Sequence, residues 1–153
     1  MIFEHVGVNV SDLNRSISFY IEVFDFKLLR KTTTSAYLYL NNDLLELTQS
    51  KYTEKKKVKS KPVEKWSNEM YSPVGLSHIG FRVDNMDKTI DRIKKLGGEL
   101  VVPPYNFEPK IEYTADLDED KLRRALKPPP NKRVWRIASF SDPDGVILEV
   151  IER

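Results

Sequence analysis

The chain reads as an α+β protein made of two tandem βαβββ modules. Three features carry that reading. First, a short pattern occurs twice, as His5-Val6-Gly7-Val8-Asn9-Val10 and as His78-Ile79-Gly80-Phe81-Arg82-Val83. His5 and His78 are the only histidines and lie 73 positions apart. At that offset Gly7 also meets Gly80, Val10 meets Val83 and Ile17 meets Ile90. Second, each copy alternates with period two and then changes to helical spacing. Third, each module ends in an apolar run with one carboxylate inside it: Glu46 among leucines, and Glu149 between Leu148 and Val150. A repeat that sets the only histidines at equivalent places predicts two half-domains facing each other across one site.

The elements follow in order. Over residues 2–10, Val6, Val8 and Val10 share one strand face, and Phe3, His5, Gly7 and Asn9 share the other. Ser11 or Asp12 then caps a helix with Leu13, Ile17, Tyr20, Ile21 and Phe24 on its apolar face, stopping near Asp25. Strands are predicted over 26–31, 35–40 and 44–48, with turn residues Asn41-Asn42-Asp43 between the last two. In the second copy Ile79, Phe81 and Val83 oppose His78, Gly80 and Arg82. Asn85 caps a helix through Leu96, and Gly97-Gly98 ends it. Strands over 99–102, 134–140 and 146–151 complete the module, the last two joined by Ser141-Asp142-Pro143-Asp144-Gly145.

The two carboxylates lie 103 apart, so the second module carries about 30 extra residues. They fall between Pro103 and Arg133, with a short charged helix expected over 117–126. An insert of this kind serves as a lid, a pocket wall or a solvated surface loop. The expected organisation is one domain over 1–153: a first module over 1–50, a linker over 51–74 with a short helix near 63–70, and a second module over 75–153 with the insert at about 104–133.

Composition narrows the function. The chain has 153 residues, 40% hydrophobic and 31% charged, as expected of a globular domain. A net charge of +2 gives no reason to expect nucleic acid as a partner. The lysine-rich stretch over 51–65 lacks the interleaved aromatics of single-strand binders and reads as a solvated linker. No apolar run reaches the roughly 20 residues of a membrane helix. No signal peptide is recognisable, so the expected location is cytoplasmic. With no cysteine, any metal must be held by nitrogen and oxygen.

The carboxylates carry the chemistry. A carboxylate within an apolar strand is costly unless it is paired or binds a metal. Each module supplies one histidine from its first strand and one glutamate from its last. If the halves face each other, His5, Glu46, His78 and Glu149 converge as ligands for a divalent ion such as Zn, Ni, Co, Fe or Mn. An octahedral ion would keep two positions open. Gly7 and Gly80, on the histidine faces, would leave room for a ligand.

These segments resemble the vicinal oxygen chelate superfamily, the group of glyoxalase I, methylmalonyl-CoA epimerase, extradiol dioxygenases and the fosfomycin and bleomycin resistance proteins. The matching stretches are His5-Val6-Gly7, Asp12-Leu13-Asn14-Arg15-Ser16-Ile17-Ser18-Phe19-Tyr20, Phe26-Lys27-Leu28-Leu29, and Phe140-Ser141-Asp142-Pro143-Asp144-Gly145 with Leu148-Glu149. The resemblance covers 1–50, 75–104 and 134–153. It implies paired modules forming an incomplete barrel, metal ligands at His5, Glu46, His78 and Glu149, and a homodimer, with the site within one chain or across two. Four ligands rather than three favour a glyoxalase I type lyase or isomerase, in which the metal acts as a Lewis acid on a small-molecule substrate and a carboxylate moves a proton through an enediolate. The resemblance makes Glu149 the preferred base, with Glu46 as the alternative. The basic residue that glyoxalase I carries on the first strand is here Asn9. Arg82, Arg30, Arg136, Tyr37 and Tyr39 are the candidate substrate contacts. The rival readings are an epimerase of the methylmalonyl-CoA kind and a metal-free, ligand-sequestering protein of the bleomycin-resistance kind; the fourth ligand disfavours a dioxygenase.

Overall fold

A computed structural model describes residues 3–52, 76–108 and 134–153. The helices expected over 63–70 and 117–126 lie outside the described residues. In chain order the elements are β1 (Val6–Val10), α1 (Leu13–Phe24), β2 (Lys27–Lys31), β3 (Ser35–Leu40), β4 (Asp43–Gln49), β5 (Ile79–Arg82), α2 (Met86–Lys95), β6 (Glu99–Phe107), β7 (Trp135–Ser141) and β8 (Ile147–Glu152). Each module is βαβββ. They form two four-stranded sheets, ordered β1-β4-β3-β2 and β5-β8-β7-β6. In each, the first strand runs parallel to the last and lies at the sheet edge. No described helix is long and apolar enough to cross a membrane.

The helices begin in the same way. The Asp12 carboxylate accepts from the Arg15 N–H at 3.0 Å, and the Asn85 side-chain oxygen accepts from the Lys88 N–H at 2.9 Å. A polar residue at the end of the last strand then takes a further free N–H. Gln49 Oε1 accepts from Leu13 N at 2.9 Å, and Glu152 Oε2 accepts from Met86 N at 2.9 Å. Gln49 and Glu152 each stand three residues after the candidate glutamate of their module. At the other end, Asp25 adopts a left-handed conformation (φ 60°) that terminates α1. Gly97 does so after α2 (φ 85°), and an added Cβ at Gly98 would come within 2.5 Å of the Ile93 side chain.

Both helices cover the same side of their sheets, the side of Val8 and Val10 in β1 and of Leu148 and Val150 in β8. The main apolar cluster runs through both modules and includes Val10, Tyr20, Leu38, Leu47, Met86, Phe140 and Leu148. Phe24 of α1 stacks on Phe81 of β5 with ring centroids 4.0 Å apart, a contact worth about 0.5–1.5 kcal/mol beyond the area it buries. β6 runs further than the sequence pattern predicts, through Pro103-Pro104 to Phe107. It is an edge strand, and two register shifts absorb the prolines, so their missing N–H groups break no central ladder.

The second lock between modules is the β7–β8 turn. The Asp142 carboxylate accepts from the Val146 and Asp144 backbone N–H groups, at 2.8 and 2.9 Å, and from the buried Tyr20 hydroxyl at 3.0 Å. Asp144 reaches the start of α1. It accepts from the Ser11 and Ser16 hydroxyls and pairs with Arg15 at 2.7 Å. Burial pushes the Asp142 carboxyl above its ordinary range despite those hydrogen bonds. At Asp144 burial pulls upward too, but the hydrogen bonds from Ser11 and Arg15 prevail and hold the carboxyl below its usual value.

Replacing Asp144 by Asn is expected to lower unfolding stability at neutral pH by about 1–2 kcal/mol, measured by urea denaturation. The folded pKa of Asp144 lies below the ordinary value of an aspartate. Its contribution is therefore complete above that value and fades as pH falls through the folded one. The stability gap between wild type and the variant should close on acidification below about pH 4.

Candidate metal centre

Each histidine meets the glutamate of its own module. His5 Nε2 lies 3.2 Å from Glu46 Oε2, and His78 Nε2 lies 3.7 Å from Glu149 Oε2. Sheet register accounts for both. Gly7 stands opposite Glu46, and Gly80 opposite Glu149, so each histidine, two residues before its glycine, reaches across to the neighbouring carboxylate. All four side chains are half-buried. The glycines keep the surface low: a Cβ at Gly80 would meet nothing within 4 Å, and one at Gly7 would lie 3.8 Å from Glu46.

Each pair fits a cation. Two neighbouring ligands bound at about 2.1 Å sit roughly 3 Å apart, close to the spacing seen here. The second ring nitrogens differ. His78 Nδ1 shares a 2.9 Å hydrogen bond with the Ser77 hydroxyl. When Nδ1 donates that bond, Nε2 keeps its lone pair on the side of Glu149, as a metal ligand requires. His5 Nδ1 is buried without a hydrogen-bond partner, and its ring meets Tyr37 edge-on at 5.5 Å. Ser77 was missed by the sequence reading, because a hydroxyl beside a histidine breaks no periodic pattern.

The four ligands do not gather within one chain. Among the described residues, no group of three or more potential ligands comes together. The convergence expected of two facing halves is therefore absent from the single chain, which holds two separate His–Glu pairs, one on each sheet. A cavity of ≈ 540 Å³ opens between the modules, lined by Phe26, Leu45, Phe81, Arg82 and Ile151 among others. It includes Gly80 but none of the four ligands.

The candidate substrate contacts separate by face. Tyr37 lies directly opposite Glu46, and Arg30 opposite Tyr37, with its guanidinium 4.1 Å above the Tyr37 ring. Tyr39 follows on the same face, between Leu44 and Lys27. Arg82 shares the face of His78 and Gly80 and stands opposite Ile151. Arg136 lies on the other side of its sheet. It stands opposite Glu152, whose carboxylate caps α2, and it pairs with Asp87 at 3.0 Å and Glu152 at 3.5 Å. Its hydrogen bond to Asp87 keeps the guanidinium pKa raised, and the partnership lowers that of Asp87. Arg136 is thus held away from the Glu149 face, because it is an even number of residues from the helix-facing Ala138 and Phe140.

Two mixed sheets, each with a histidine just before its edge strand and a glutamate on the parallel neighbour, define a two-module α+β scaffold. The sequence profile of the Glyoxalase/Bleomycin resistance protein/Dioxygenase superfamily matches residues 2–150, and the chain belongs to that superfamily. A lactoylglutathione lyase from Salmonella typhimurium is 32% identical over 149 residues, covering 97% of this chain and 90% of that protein. A probable chloroplastic lactoylglutathione lyase from Arabidopsis thaliana is 27% identical over 150 residues, and a probable trivalent organoarsenical cleaving enzyme from Bacillus subtilis is 32% identical over 99. The chain spans 35% and 57% of the lengths of those last two. Among solved structures, glyoxalase I from Zea mays superposes with a TM-score of 0.59 at 26% identity, covering 97% of this chain and 43% of that one. A fosfomycin resistance protein from Mesorhizobium loti gives 0.59 at 20% identity over 100% and 94% of the two chains, and shows the fold alone.

Since Arg136 faces the helix, Arg136→Gln should leave the kcat and KM of whatever reaction the His–Glu face supports unchanged. Steady-state kinetics would contradict this placement if KM rose.

Proposed function

We propose that the chain is a metal-dependent lyase or isomerase of the glyoxalase I type, acting as a homodimer. Its substrate is a small hydroxy-carbonyl thio adduct of the kind that isomerises to a hydroxyacyl thioester. The observation that carries this reading is the pair of matched His–Glu half-sites on edge strands. Each supplies two donors, whereas a divalent ion in a nitrogen and oxygen site takes more. A second copy related by a two-fold axis supplies the missing half: His5 and Glu46 of one copy meet His78 and Glu149 of the other, twice per dimer. The several relatives that are named lactoylglutathione lyases support the reaction class.

The bound ion would polarise the hydroxyl and carbonyl oxygens of the substrate and acidify the intervening C–H. The chain's own residues do the rest. The Glu149 carboxylate removes the proton from the hydroxyl-bearing carbon, and the electron pair moves into the carbon–carbon bond of an enediolate. Glu149 then returns the proton to the neighbouring carbon, while the hydroxyl proton is exchanged through water to the former carbonyl oxygen, so that no atom is gained or lost. Glu149 suits this role better than Glu46. Its contact with histidine is the looser, 3.7 against 3.2 Å, and its cross-strand neighbour is the small Ser139, where Glu46 has Tyr37. A carboxylate that must swing between ligand and base needs that room.

Glu149→Gln should lower kcat on the methylglyoxal–glutathione hemithioacetal by about 10²–10⁴-fold with an unchanged circular dichroism spectrum. A composite site also predicts complementation. Mixed after unfolding and refolding together, inactive His5→Ala and His78→Ala chains should recover about a quarter of wild-type activity, because half the dimers are mixed and each carries one intact site. A site built within one chain recovers none.

A further inference from the structure

The face of the first sheet carries an arginine whose orientation periodicity does not foretell. In an unbroken β2, Arg30 would share the helix-facing side of Leu28, which pairs with the fully buried Leu38. A register shift falls between Leu28 and Arg30. With Leu29 as the extra residue, Lys27 and Arg30 both turn to the opposite face, against Tyr39 and Tyr37. Lys31 then returns to the helix side, where its Nζ bonds Asn14 of α1 at 2.6 Å. The bulge therefore aims one guanidinium at the His–Glu face at the cost of a ladder position.

The result is a straight row across the sheet: Gly7, Glu46, Tyr37, Arg30. The Arg30 guanidinium rests on the Tyr37 ring, and that ring abuts His5. Two strand spacings put Arg30 about 10 Å from Glu46 along the row. No carboxylate among the described residues pairs with Arg30, whereas Arg15, Arg92 and Arg136 all have acidic partners. The Glu149 face of the second sheet carries an apolar patch of Val102, Ile147 and Tyr105, with Arg82 at the end of β5.

We propose that Arg30, turned by the β2 bulge and braced on Tyr37, binds a carboxylate group of the substrate, on the far side of Glu46 from His5. This deepens the functional reading above and rests on the His–Glu face being where substrate is handled. The substrate class it names is a chelating hydroxy- or oxo-acyl compound with a second, anionic group several bonds from its chelating oxygens. An arginine fork suits that group because it presents two parallel N–H donors to two oxygens. Tyr37 restricts the guanidinium beforehand, so less freedom is lost on binding.

Two measurements on the full-length protein test this. In cobalt-loaded protein, 2-oxoglutarate should bind more tightly than 2-oxohexanoate, which has the same chelating end and a neutral tail. Arg30→Met should remove about tenfold or more of that preference while leaving cobalt affinity unchanged. Equal binding of the two probes by wild type overturns the inference. So does an Arg30→Met variant that loses cobalt affinity and both probes alike, because Arg30 would then only brace His5 through Tyr37. The second measurement needs no metal. Glutarate titrated at constant ionic strength should shift the Arg30 Nε–Hε resonance saturably, and a flat response overturns the subsite. Failure to load cobalt beside a saturable glutarate shift would sink the metal reading and leave the subsite standing.

Discussion

The structure depends on one turn holding one helix. Asp142 and Asp144 sit two residues apart between β7 and β8, and both side chains point across the module boundary into α1. Asp142 is nearly sealed from solvent, and its charge is tolerated because two backbone N–H groups and the Tyr20 hydroxyl surround it. Asp144 engages Ser11, Arg15 and Ser16, the residues at the entry to α1. The same entry is tied to β4 through Gln49, three residues after Glu46. Through this chain of contacts the second module fixes the helix over which the first half-site is built.

Duplication explains why the two His–Glu pairs match. In each module the first strand is an edge strand, so the histidine just before it stands beside an open backbone edge, and the parallel last strand brings a carboxylate alongside. The residues around the pairs diverged. The first sheet carries Tyr37, Tyr39, Lys27 and Arg30 on its His–Glu face; the second carries Arg82, Ser139, Val102, Ile147 and Tyr105.

Local periodicity made most of the frame legible. The element order, the caps Asp12 and Asn85 and the apolar faces all follow from periods of 2 and 3.6 and from a repeat of 73 positions; that each histidine meets the glutamate of its own module follows from the parallel pairing of first and last strands, which periodicity does not give. Strand ends moved by a few residues. β6 ran through two prolines, because an edge strand with shifted register has no use for the hydrogens they lack. Ser77 gave no signal, since it is one residue from His78 and breaks no rule.

The sequence by itself determined which residues could be ligands and which strand faces they occupy, because alternation along a strand is a property of neighbouring residues. Tertiary structure decided what those faces meet. It put Arg136 on the helix side, where Asp87 and Glu152 hold it, and it turned Arg30 to the site side through one extra residue in β2. It also kept the two His–Glu pairs apart within a chain, since the modules pack through α1, Phe81 and the β7–β8 turn and leave the histidine-bearing strands at sheet edges. These outcomes rest on register and on contacts between residues from 16 to 133 positions apart, which no short-range pattern encodes.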